Sequence, residues 1–117
     1  MVINTNEQDF VIKNKKLQKY MGNGGDVVIP DGVRSIGAAV FFEHTTLTSI
    51  TIPKSVTSIG DCAFLSCTSL ASINIPDSVT EIGERTFKGC GKLVITTPAG
   101  SYAEEYAKKK RIKVNLI

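Results

Sequence analysis

The chain has 117 residues, of which 42% are hydrophobic and 21% are charged, with 14 Lys and Arg against 11 Asp and Glu. This composition is typical of one globular domain spanning residues 1–117. The net charge of +3 is too weak to indicate a nucleic-acid partner.

Neither an export signal nor a membrane span is visible in the sequence. The first twenty residues contain no apolar stretch of signal-peptide length, and no later run has the length of a transmembrane helix, so we expect no membrane insertion. Three cysteines are an odd number and lack CxxC spacing, which indicates neither a disulfide framework nor a zinc knuckle.

The first predicted element is a β-hairpin that caps the amino-terminal end over residues 1–23. Apolar and polar residues alternate on two short runs around Asn14 and Lys15, as is typical of a hairpin. A glycine-rich segment follows, and Val27 and Ile29 then predict another short strand. The apolar positions of the hairpin are Phe10, Ile12, Leu17 and Tyr20.

A repeat of 23 residues occupies the middle of the chain, residues 24–98. Residues 52–74 are identical to residues 29–51 at 11 of 23 positions, and to residues 75–97 at 10 of 23. A period of this length predicts a solenoid, because one unit is too small to bury its apolar side and must stack on its neighbours. The recurring prolines are Pro30, Pro53, Pro76 and, after 22 residues, Pro98.

Each predicted coil contributes the same kinds of side chain to a shared core. A strand with alternating apolar residues ends before each proline, because proline lacks the N–H that would continue a sheet ladder. Further apolar residues follow, and then one phenylalanine per coil predicts an aromatic ladder. The core positions are Leu47, Leu70 and Leu93, Ile50 and Ile73, Ile52 and Ile75, Val56, then Ile36, Ile59 and Ile82, and finally Phe41, Phe64 and Phe87.

A glycine follows the last isoleucine of each coil, at Gly37, Gly60 and Gly83. Glycine adopts a positive φ without the steric cost that a side chain imposes. We therefore expect these three glycines to have a positive φ and to form a corner of each coil.

Residues 99–117 depart from the repeat and predict a cap made of a helix and a strand. Ser101 and Glu104 have the spacing of a capping box, and lysines at 108–110 suit the carboxyl end of a helix. The predicted i,i+4 ion pairs are Glu104–Lys108 and Glu105–Lys109. The residues expected to cover the last coil are Tyr102, Ala103 and Tyr106. The residues that alternate in the closing strand are Ile112, Val114 and Leu116.

Two units of the repeat, IPKSVTSIGDCAFLSCTSLASI and IPDSVTEIGERTFKGCGKLVI, resemble the bacterial leucine-rich repeats of the BspA-like, or treponemal, type. The segment YMGNGGDVVIPDGV resembles the amino-terminal lead-in of that family, and GSYAEEYAKKKRIKV resembles its carboxy-terminal cap. This chain departs from the family pattern in lacking an export signal, in its short array, and in Asn14-Lys15 where glycine is usual.

The resemblance implies a mainly β, right-handed parallel solenoid with coils of 23 residues. It also implies adhesion or protein binding at the surface of a bacterium, often one that lives in an animal host, and hence a cell-surface or secreted location. The missing export signal leaves a cytoplasmic location open as the alternative. The family has no catalytic residues, so the resemblance implies none in this chain.

His44, Cys67 and Cys90 occupy the same place in successive coils, so we expect them about 5 Å apart along the solenoid axis. A buried structural ladder, a disulfide between the two cysteines and a metal site are all compatible with this spacing. We favour the ladder and predict neither a metal nor a cofactor. Cys62 aligns with Ala39 and Arg85 and is expected at the periphery.

Nothing in the sequence indicates catalysis. His44 has no acid placed beside it by the repeat, and the carboxylates are spread over turns, where solvation explains them better than a paired acid and base. The basic run at 108–111 is compatible with binding nucleic acid or anionic lipid, but cations already suit the last turn of a helix. We predict that the chain is not an enzyme.

The outward positions of the predicted strands form a candidate partner-binding face. Its small side chains, without aromatics or arginine, predict a shallow contact surface, although plain solvent exposure also explains them. We expect a non-catalytic module that binds a protein or glycan, for example a host extracellular protein. The alternative is a structural spacer or assembly unit without a ligand. The candidate residues are Thr48, Ser49, Thr51, Ala71, Ser72 and Asn74.

Overall fold

The computed structural model of the chain describes residues 7–117, so the first six residues of the predicted cap at 1–23 lie outside the described residues. Two five-stranded sheets run along the stacked coils. The first sheet contains, in spatial order, β1 (Phe10–Lys13), β2 (Lys16–Tyr20), β4 (Ser35–Ile36), β6 (Ser58–Ile59) and β8 (Glu81–Ile82). The second sheet contains β3 (Gly25–Val28), β5 (Leu47–Thr51), β7 (Ser72–Asn74), β9 (Val94–Thr97) and β10 (Lys113–Leu116).

Parallel strand pairing keeps equivalent residues of successive coils side by side. In the second sheet every pair is parallel, and the predicted strand at Val27 places that residue opposite Ile50. One inward row therefore crosses all five strands and consists of Val27, Ile50, Ile73, Ile95 and Val114. The matching row of the first sheet consists of Leu17, Ile36, Ile59 and Ile82.

The predicted amino-terminal hairpin is confirmed, with β1 and β2 antiparallel. Its two turn residues, Asn14 and Lys15, both have a positive φ, of 52° and 63°. Positive φ at both central positions is the geometry of a two-residue turn whose twist matches the strands it joins. Asparagine tolerates this region better than most residues, which accounts for a tight turn here without glycine.

The predicted aromatic ladder is confirmed in the core. The ring of Phe64 stacks between Phe41, with centroids 5.1 Å apart and planes at 8°, and Phe87, at 5.5 Å and 6°. Tyr20 extends the stack towards the hairpin at 4.9 Å from Phe41, and Tyr106 closes it edge-on at 6.0 Å from Phe87. Both caps therefore contribute a ring to the same column.

The expectation for the repeated glycines is wrong, because none of Gly37, Gly60 and Gly83 has a positive φ. A Cβ on Gly60 would lie 2.8 Å from both the backbone N of Ala38 and the backbone C of Gly37. Glycine is thus required at this corner for the close approach of two coil backbones. The positive φ falls two residues later, on the non-glycine residues Ala39, Cys62 and Arg85.

The carboxy-terminal cap is confirmed as the helix α1 (Tyr102–Lys110) followed by β10. Ser101 Oγ accepts from the N–H of Glu104 at 3.1 Å, and Glu104 Oε1 accepts from the N–H of Gly100 at 2.7 Å. Glu104 also pairs with Lys108 at 3.0 Å.

Two details of the predicted cap are wrong. The described part of the chain shows no ion pair between Glu105 and Lys109. Tyr102 is 40% exposed and leaves the covering of the last coil to Ala103, Ala107 and the partly buried Tyr106.

Candidate functional site

The second sheet turns one side to solvent, and we call its outward side chains the outer face. The first row of the outer face consists of Asp26, Ser49, Ser72, Val94 and Lys113. The second row consists of Val28, Thr51, Asn74, Thr96 and Asn115. None of these ten residues is buried, whereas the row between them forms part of the core.

The outer face is small and consists mainly of short side chains. Five parallel strands at about 4.8 Å spacing make it about 19 Å across, on a molecule with extents of 34 × 28 × 27 Å. Its two rows contain hydroxyl, amide and valine side chains between one acid, Asp26, and one base, Lys113. The arrangement can form hydrogen bonds over a broad, shallow surface and carries opposite charges at its two ends.

Four of the six candidate residues, Ser49, Thr51, Ser72 and Asn74, belong to the two rows. Thr48 and Ala71 are exposed beside these rows and are joined by a hydrogen bond from the Ala71 N–H to the Thr48 carbonyl, at 2.9 Å. The structure therefore brings all six onto one side of the solenoid.

Asp26 is a member of the outer face that the sequence reasoning missed. The hydroxyls of Thr48 and Ser49 both donate to its Oδ1, at 3.1 and 2.7 Å. Thr48 reaches it because β5 carries an extra residue opposite β3 at this point, where Gly25 pairs with Leu47 and Asp26 with Ser49. A bulge of this kind depends on strand register, which the repeat pattern alone does not reveal.

The strands β9 and β10 supply four further missed residues, which are Val94, Thr96, Lys113 and Asn115, and β3 supplies Val28. The first two could have been found, because Pro98 follows Pro76 by 22 residues instead of 23. The loss of one residue after Leu93 shifts the outward positions of the last coil by one relative to the 23-residue repeat. The residues on β10 lie outside the repeat and carry no such signal.

The cysteine ladder is buried and holds no disulfide at Cys67 or Cys90. Each thiol donates to a phenylalanine carbonyl of the preceding coil, Cys67 to Phe41 at 3.0 Å and Cys90 to Phe64 at 3.1 Å. Contact with the Cys90 thiol and burial raise the pKa of Cys67, which keeps it protonated and unreactive at neutral pH.

His44 continues this ladder position towards the hairpin. Its Nε2 lies 3.2 Å from the carbonyl oxygen of Gly22, and its ring centroid lies 5.2 Å from that of Tyr20. These contacts give His44 a packing role between the first coil and the cap. Within residues 7–117, no three His, Cys, Asp or Glu side chains are grouped so as to hold a metal ion.

The repeat matches a known protein family. The sequence model of the BspA type leucine rich repeat region matches residues 12–106, in six copies. The chain belongs to this family. No curated protein sequence gives a significant match to this BspA-type chain.

Two solved structures resemble this BspA-type domain closely. The T. pallidum leucine rich repeat protein has a TM-score of 0.71 and 29% identity, over 79% of this chain and 52% of its own. A leucine rich cell surface protein from Faecalibacterium prausnitzii A2-165 has a TM-score of 0.66 and 30% identity, over 81% of this chain and 32% of its own. The chain thus spans about half and about a third of these two proteins.

Proposed function

We propose that this chain is a non-catalytic binding or adhesion module of a bacterial surface protein, and that the outer face contacts the partner. The observation that supports this most directly is the face itself, with ten outward positions on five parallel strands and none of them buried. A surface location is supported by the similar protein from F. prausnitzii, which is described as a leucine rich cell surface protein.

The chemistry of the outer face suits a protein or glycan partner, including a host extracellular protein. Short hydroxyl and amide side chains lose little rotamer entropy when a partner immobilises them. Tight interfaces are usually anchored by Trp, Tyr or Arg, and the two rows contain none. One copy should therefore bind weakly, and longer or multiple arrays would supply avidity.

The charges of the outer face also favour a non-catalytic role. Asp26 and Lys113 are the ionisable residues of the two rows, and four strand spacings separate them by about 19 Å. A general acid and base must both be within hydrogen-bond reach of one substrate, which this distance prevents. The hydroxyls of Thr48 and Ser49 are already bonded to Asp26.

Two matched arginine variants test the outer face. The test variant, Thr51→Arg with Asn74→Arg, places two bulky cations at the centre of the outer face. The control variant, Thr57→Arg with Thr80→Arg, places two beside the first sheet. All four positions are exposed. Beads carrying each variant are scored for adhesion to surfaces coated with purified collagen, laminin or albumin. We expect the first variant to lose adhesion to a matrix protein and the second to retain it, with unchanged melting curves for both.

The rival role is that of a structural spacer without a ligand. If the wild-type chain adheres to the matrix proteins no better than to albumin, or if the two variants adhere equally well, the outer face is not a binding surface for them. The spacer role would then be preferred.

A further inference from the structure

A cleft with four cationic side chains lies at the carboxy-terminal end of the solenoid. We call this cavity of about 620 Å³ the basic cleft. It forms where the end of the last coil meets the end of α1 and the start of β10. Its cationic lining residues are Lys92, Lys110, Arg111 and Lys113.

The helix alone does not account for this cluster. Lys110 and Arg111 stand at the carboxyl end of α1, where cations interact favourably with the helix dipole. Lys92 and Lys113, however, come from the turn before β9 and from the start of β10, and no Asp or Glu lines the cleft. Three separate segments thus bring positive charge to one concave surface.

The four cations have no acidic partner in the structure. Among residues 7–117 the one ion pair within 4.0 Å is Glu104–Lys108, so none of the four contacts a carboxylate. The Nζ of Lys110 lies 5.9 Å from the ring centroid of Tyr106, and Glu84 lines a separate cleft that Lys110 also borders. Like charges gathered without counter-charges repel one another, and a bound anion would relieve that repulsion.

We propose that the basic cleft binds a sulfated glycan. Its volume is in the range of sites that hold small ligands, which are about 300–1,000 Å³. Lysine and arginine donate short, charge-assisted hydrogen bonds to anionic oxygens, and sulfate groups offer several such oxygens. The rest of the lining is small or apolar and includes Gly91, Val94 and Ile112, against which the carbon face of a sugar ring can pack.

The shape of the cleft favours this ligand over other polyanions. Duplex DNA is held by cations spread along its phosphates, and single strands are held by stacking on exposed aromatic rings. In the basic cleft the cations are confined to one cavity and its aromatic residue, Phe87, is buried. A flat anionic membrane fits poorly against cations that line a concave surface.

The site is separate from the proposed partner-binding role but adjoins it. Val94 and Lys113 belong both to the cleft and to the first row of the outer face. A glycan seated in the cleft can therefore extend along that row, yet the cleft binds its anion whether or not the face holds a protein.

The test is calorimetric titration with a heparin-derived hexasaccharide. The cleft variant carries Lys92→Gln, Arg111→Gln and Lys113→Gln. The control variant carries Lys13→Gln, Lys16→Gln and Lys19→Gln on the hairpin, so that both lose three positive charges at exposed positions. We expect the cleft variant to bind at least about tenfold more weakly and the control to change less than about threefold, because local charge-assisted contacts carry the affinity. The desulfated hexasaccharide should not bind.

Three results would overturn the proposal. The first is that the wild type shows no binding up to about 1 mM hexasaccharide. The second is that both triple variants lose the same amount of affinity for the hexasaccharide. The third is tighter, cleft-dependent binding of a single-stranded DNA oligomer or of phosphatidylserine vesicles, which would assign the cleft to that ligand instead. If the cleft variant melts early, Lys92→Gln and Lys113→Gln are tested singly against Lys16→Gln.

Discussion

The stacked glycines show how the absence of one side chain sets the approach of neighbouring coils. At Gly37 an added Cβ would lie 2.9 Å from the carbonyl oxygen of Leu17, and at Gly60 the nearest atoms are backbone as well. Backbone atoms cannot move aside as a flexible side chain can, so the parallel ladder would have to open. The sequence revealed that glycine is required at these positions but not why. A need for positive φ and a lack of space for a side chain both appear in a sequence as a recurring glycine.

Replacing Gly60 with alanine tests this reason for glycine. We expect Gly60→Ala to lower the free energy of unfolding by about 1–3 kcal/mol, as overpacking does. The control is Gly91→Ala, since an added Cβ at Gly91 meets no atom within 4 Å and alanine restricts the unfolded chain. Urea denaturation measures both. Equal stability of the two variants would show that the coils do not approach so closely.

At the scale of an element, α1 illustrates how a cap fixes the end of the array. Glu104 accepts from the N–H of Gly100, ahead of the helix, and pairs with Lys108 one turn later. The hydrogen bond from Gly100 and, next, that from Lys108 lower the pKa of Glu104. The ionised carboxylate is therefore favoured in the folded chain and links the turn before the helix to the helix itself.

The lowered pKa predicts a pH-dependent effect of Glu104→Gln. Because the folded-state pKa lies below the unfolded value of 4.5, the carboxylate stabilises the fold above that value, and this contribution disappears as pH falls through the folded-state pKa. The wild type should be more stable than Glu104→Gln at about pH 7, and the two should converge at about pH 2. Urea denaturation at both values checks this.

The control for this prediction is Glu105→Gln, which removes an exposed carboxylate from the same helix. The difference in free energy of unfolding between Glu105→Gln and the wild type should change less between the two pH values. A stability gap for Glu104→Gln that is the same at neutral and acid pH would contradict the role given to the carboxylate.

At the scale of the whole molecule, the repeated part was predictable and the junctions were not. Residues one coil apart meet the same neighbours, so the spacing of Phe41, Phe64 and Phe87 sufficed to predict their stacking. The contacts of Asp26 depend instead on a local bulge between β3 and β5, and the basic cleft depends on how the carboxy-terminal cap lies against the array. The lysines of the helix were visible in the sequence. That they line the same cleft as Lys92 could not be predicted, because no periodicity relates Lys92 to the helix.

The coils stack around one continuous aromatic column, on which the outer face and both caps depend. Phe64 lies inside that column with none of its surface exposed. Phe42, which follows the column residue Phe41 in the previous coil, is 47% exposed. These two phenylalanines allow the same substitution inside and outside the column.

Urea denaturation of Phe64→Ala and Phe42→Ala is the most direct test of this column. We expect Phe64→Ala to lower the free energy of unfolding by about 3–5 kcal/mol, through lost burial and a cavity between Phe41 and Phe87. Phe42→Ala should stay within about 0.5 kcal/mol of the wild type. Equal losses for the two variants, or a larger loss for Phe42→Ala, would contradict the stacked core.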